Sequence, residues 1–131
     1  MNEVDPRWYV FRNAVYERNY SEAESMLMHT PSLLSLTSGL GETALHYLAV
    51  ENDLEGVAWL HAKGSSLDTT NVFGTPVIFE VAQLEYKELY SWFVANGANV
   101  RAHDKEGKDI IEYLHGFDVE KMALWVQDHD A

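Results

Sequence analysis

Gly39-Leu40-Gly41-Glu42-Thr43-Ala44 matches G-x-G-x-x-A, a pattern that cradles a dinucleotide pyrophosphate when it joins a strand to a helix. The apolar run Leu33–Leu36 ahead of it can pass for the strand. Six histidines (His29, His46, His61, His103, His115 and His129) and 21 acidic residues supply bases, acids and ligand atoms. Only His103 and the tail Asp128-His129-Asp130 are expected to be exposed. The tail can hold an ion adventitiously, without the outer hydrogen bonds that fix metal ligands. There is no cysteine, which removes disulfides, zinc ribbons, iron–sulfur clusters and thiol nucleophiles. No serine sits in a G-x-S-x-G elbow. No carboxylate pair stands apart from the solvated charge of helix surfaces.

The elements that hold these residues decide among the readings. Gly41, Gly74 and Gly107 are 33 residues apart, as are Gly64 and Gly97, and Trp59, Trp92 and Trp125. Leu45, Ile78 and Ile111 keep the same register, as do Leu48, Val81 and Leu114. A fixed period of this length marks a repeat architecture. Gly41 therefore belongs to a structural series, and no alternation of strands and long helices supports a dinucleotide fold.

Within one period, Thr43 to Glu51 carries Leu45, Leu48 and Ala49 at helical spacing, and Leu54 to Ala62 carries Leu54, Val57, Ala58 and Leu60. Lys63-Gly64 ends the second helix. Helices of about nine residues are not stable alone, so each pair must stack on the next as a solenoid. Ser38, Asn71 and Asp104 each stand three residues before a turn glycine, with a side-chain oxygen suited to turn amides. The three periodic tryptophans are read as packing between repeats.

Thr43-Ala44-Leu45-His46, followed by Leu48-Ala49, resembles the Thr-Pro-Leu-His helix opening of the ankyrin repeat. The stretch from Gly97 to Gly107 and the turn Asn71-Val72-Phe73-Gly74-Thr75-Pro76 are similar to the family's hairpin. Phe79 departs from the family histidine, and Asp109-Ile110-Ile111-Glu112 departs further. The likeness runs from about residue 38 to 126. It implies an all-α ankyrin-repeat solenoid of helix–turn–helix pairs with β-hairpin-like loops. One domain spans 1–131, with repeats at about 5–37, 38–70, 71–103 and 104–131, the outer two degenerate caps. His46 is then the family's structural histidine, bonded near the Thr43 turn. In the first cap, residues 7–19 are helix-like, and Ser21 with Glu24 forms a capping box for a second helix. Trp8 is expected to precede the first helix and cover the open end. Residues 119–127 close the stack.

The charge and the resemblance together set the functional expectation. A net charge of -12 with nine basic residues disfavours nucleic acid and anionic membrane surfaces. The opening Met1-Asn2-Glu3-Val4-Asp5-Pro6-Arg7 lacks the basic and apolar regions of a signal peptide, so a cytoplasmic protein is expected. The acids are spread, with net charges of -2, -4, -2 and -4 over residues 1–38, 39–73, 74–106 and 107–131. The resemblance implies a non-enzymatic module that binds a protein partner through its concave face and hairpin tips, without cofactor or metal. The implied contact residues are Leu40, Glu42, Val50, Glu51, Thr70, Val72, Phe73, Gln83, Leu84, His103 and Lys105. Val72-Phe73 places two apolar side chains at a tip, and with Val50 and Leu84 they are expected to form one apolar patch. One concrete version is an acidic, monomeric inhibitor or immunity-type protein covering a basic target. The alternative is a self-associating structural scaffold.

Overall fold

The computed structural model describes residues 4–129. Asp130 and Met1-Asn2-Glu3, which enter the expectations for the tail and the leader, lie outside them. The described chain is all-helical, with eight α-helices in four consecutive pairs and no named strand. They are α1 (Pro6–Tyr16) and α2 (Tyr20–His29), α3 (Ala44–Val50) and α4 (Leu54–Ala62), α5 (Val77–Gln83) and α6 (Lys87–Ala95), α7 (Ile110–His115) and α8 (Glu120–His129). From α3 onward the starts of corresponding helices recur every 33 residues. A short 3-10 turn, Pro31–Leu34, follows α2.

Side-chain caps start four of these eight helices. Asp5 accepts the Arg7 amide ahead of Pro6, Thr43 Oγ1 accepts the His46 amide at 3.2 Å, and Asp53 accepts the Gly56 amide at 3.2 Å. Asp109 and Glu112, which depart from the family sequence, form a reciprocal capping box on α7. Ser21 does not cap α2. That helix starts one residue earlier, and Asn19 at its cap position donates Nδ2 to Glu22 instead. The turn between paired helices passes through a left-handed residue at Arg18, Asn52, Glu85 and Asp118, with φ near 60° at each and no glycine among them.

Tertiary packing supplies what seven-residue helices lack. α1, α3, α5 and α7 pack successively, and one continuous core runs through Phe11, Leu48, Phe79, Phe93 and Leu114. The periodic tryptophans each meet an aromatic ring of the preceding pair. Tyr20 stacks on Trp59 at 5.1 Å, His61 meets Trp92 edge-on at 5.5 Å, and Tyr90 meets Trp125 at 5.4 Å. Arg18 forks onto Asp53 at 2.9 and 2.5 Å, tying the first helix turn to the N-terminus of α4.

Three expectations need correction. Trp8 lies inside α1, is 2% exposed and sits edge-on to Tyr47, because α1 begins at Pro6 and points that face inward. His29 and His115 are exposed in addition to His103, since both stand at helix ends. The loops are hairpin-like only to the extent of one isolated antiparallel bridge, Thr70 to Pro76. Among the described residues no helix is long and apolar enough to cross a membrane.

Candidate functional site

The turns before α3, α5 and α7 are built alike. Ser38 Oγ accepts the amides of Leu40 and Glu42, Asn71 Oδ1 those of Phe73 and Thr75, and Asp104 Oδ1 those of Glu106 and Lys108. These side-chain oxygens shape the turn tips, and the tips lie against each other. The Val72 amide donates to the Leu40 carbonyl at 2.8 Å, and Gly74 faces the Lys105 side chain. The first two tips hold exposed apolar side chains: Leu40 is 54% exposed, Val72 58% and Phe73 68%. Phe73 therefore does not fold back onto its loop.

Beside the tips, α5 and α7 border a half-open cleft of about 580 Å³. It brings together five of the expected contact residues: Leu40, Glu42, Phe73, Gln83 and Lys105. The other six lie outside it. Val50 is half-buried, and its backbone carbonyl accepts the Tyr86 hydroxyl. Glu51, Thr70, Val72, Leu84 and His103 do not line the cleft either, so Val50 and Leu84 do not extend the apolar surface of Phe73 into it. His103 borders a separate shallow cleft with Arg101 and Asp109.

The inner wall of the cleft is anionic. Glu42, expected on the surface, is only 8% exposed because its turn tucks it against α3. His46, also fully buried, does not bond the Thr43 turn through its ring. Its Nε2 instead pairs with Glu80 Oε1 at 2.7 Å, on the next helix pair. Asn71 Nδ2 donates to the same oxygen at 3.0 Å. The Glu42 carboxylate takes no hydrogen bond, and His46 Nε2 lies 3.7 Å from it. Burial pushes the Glu42 carboxyl up, with Glu80 and Glu51 adding to the rise and His46 opposing it. Tyr113 is buried on the opposite wall, donates its hydroxyl to Gln83 at 2.6 Å, and is pushed up to about 12 by burial. Phe117, 50% exposed, packs on the Tyr113 ring.

A carboxyl whose folded pKa is raised destabilises the native state once ionised, and the cost is relieved as pH falls through that folded value. Glu42→Gln is therefore expected to be more stable than the parent at pH 7. The advantage should shrink on acidification and vanish below about pH 4, where the unfolded glutamate is protonated too. Urea denaturation of both proteins across that range checks this; a constant difference would remove Glu42 as its source.

Glu42, His46 and Glu80 could chelate an ion by proximity, since their ligand atoms lie within 4.8 Å of one another. The donor set fits a metal poorly. His46 Nδ1 is buried without a hydrogen-bond partner, whereas a metal-bound imidazole is oriented through its second nitrogen. Its Nε2 is engaged by Glu80. The ring has no solvent exposure. The residues that the sequence did not single out are Glu80, Tyr113 and Phe117. Comparison with known proteins finds no matching family model and no matching curated protein.

Proposed function

We propose that this chain is a non-enzymatic protein-binding module, an ankyrin-type solenoid that engages a protein partner through its turn tips and concave face in the cytoplasm. The 33-residue register of helices, glycines and turn-shaping oxygens supports the ankyrin likeness. The observation that carries the binding reading is the apolar tip Val72-Phe73, 58% and 68% exposed on a turn where solvated side chains are the norm.

The concrete version is an acidic inhibitor of a basic target. The net charge of -12, spread along the chain, speeds encounter with a cationic protein and weakens with salt. Affinity capture from the native host at low salt should recover a basic protein, and recovery of none would remove this version. Phe73→Ala should keep the parent's helical circular dichroism and lose at least tenfold in affinity for the captured partner. Unchanged affinity would take the tip out of the interface. Self-association as a scaffold is the second reading, favoured by Val10 at 48% and Leu124 at 61% exposure on the two terminal pairs. Light scattering separates the two, since an inhibitor of this kind is a monomer.

A further inference from the structure

The two lysines that line the cleft beside the tips, Lys105 and Lys108, leave its inner wall without a paired positive charge. Two carboxylates, Glu42 and Glu80, line its inner wall, and behind them lies one buried imidazole, whose Nε2 is 2.7 Å from Glu80 and 3.7 Å from Glu42. Glu42 is left 92% buried, facing the cleft, without a hydrogen-bond donor. An ionised carboxylate in that position is costly unless a cation pairs with it. The chain's own cations at the rim do not do so. Lys108 Nζ pairs with Glu106 at 3.3 Å, and among the described residues neither Lys105 nor Lys108 pairs with Glu42 or Glu80.

The remaining walls describe the cation. Phe73, Tyr113 and Phe117 line the same cleft and give it aromatic character. Tyr113 spends its hydroxyl proton on Gln83, and its ring packs against that of Phe117. A volume of about 580 Å³ suits a side chain with a stem better than a bare ion. A planar guanidinium matches this combination: its donors fork toward carboxylates, and its face stacks on aromatic rings.

We propose that the Glu42–Glu80 cleft receives an arginine side chain of the protein partner, its guanidinium against the two carboxylates and its stem against Phe73 and Phe117. This rests on the protein-binding reading above. The occupant adds the second positive charge that one imidazole, 2.7 Å from Glu80 and 3.7 Å from Glu42, cannot give to both carboxylates. The Val72-Phe73 tip then flanks the point of entry, so apolar and ionic contacts fall on neighbouring surfaces.

The test uses the whole chain, labelled with nitrogen-15, and the capped tripeptide acetyl-Gly-Arg-Gly-amide as probe, with the citrulline tripeptide as its uncharged match. The arginine peptide should shift amide resonances around Glu42, Glu80 and Tyr113 saturably, and the citrulline peptide should need at least tenfold more. Glu42→Gln, checked for native helicity, should weaken the arginine peptide at least fivefold. Equal response to both peptides, or shifts confined to other acidic stretches, overturns the proposal. So does tight binding of Zn²⁺ or Mn²⁺ that moves the His46 ring signals and excludes the arginine peptide. The tripeptide needs no partner, so loss of this site leaves the Phe73 test standing, and failure of the Phe73 test leaves this one readable.

Discussion

Phe79→Ala is expected to lose about 4 kcal/mol of stability, the range for emptying a phenylalanine site in a packed core. Phe79 is fully buried on α5, and its ring lies 5.2 Å from that of Tyr113 on α7. Its position is 33 residues after His46, so it fills with carbon the register that holds an imidazole one pair earlier. Truncation removes the wall behind Tyr113, and the hydroxyl bond to Gln83 loses its support. Domains of this size hold only about 5–15 kcal/mol in total, so the variant should unfold near the start of a urea titration. The transition should move to lower urea with its slope kept. A midpoint within a few tenths molar of the parent would mean that the neighbouring helices close over the gap.

Gly41→Ala should cost about 3 kcal/mol, from two sources. Gly41 has φ +74°, a conformation that costs an L-residue about 1–2 kcal/mol. Its added Cβ would also lie 2.6 Å from the Val72 backbone nitrogen, which cannot rotate away as a side chain would. That nitrogen donates to the Leu40 carbonyl, so relief of the clash breaks the link between the first two tips. Gly107→Ala is the matched control. Gly107 has φ +81° but nothing within 4 Å of a built Cβ, so only the conformational cost of about 1–2 kcal/mol applies. Equal losses in the two variants, measured by chemical denaturation, would show that tip contact contributes nothing.

The sequence makes legible what is local and periodic. α4 occupies Leu54–Ala62 as its apolar spacing predicts, and α3 falls one residue inside each predicted end. The Ser38, Asn71 and Asp104 turns follow from side chains bonding amides two and four residues away. The N-terminal pair was less legible: Ser21 resembles a cap, yet Tyr20 already belongs to α2. The cleft was legible only at its rim. His46 and Glu80 are 34 residues apart, and no repeat position pairs a histidine with a glutamate elsewhere, so their bond emerges only when two pairs stack. Phe117 lies just past α7, where apolar spacing carries no signal. Glu85 shows the same limit for backbone: its left-handed turn is imposed by the helices on either side, without the glycine or asparagine that would announce it.

The row of α1, α3, α5 and α7, each touching the next, also bears on how the chain reaches this state. Most stabilising contacts join residues within about one or two periods of each other, so little loop entropy is spent before they form. Folding should start within a neighbouring pair of units and spread outward, with rates typical of helical proteins. Opening should begin at the ends, where α7 and α8 have a neighbour on one side only. Because α7 carries Tyr113 and is followed by Phe117, the outer wall of the cleft belongs to an end unit of the described stack, and amide exchange there should precede that of α3.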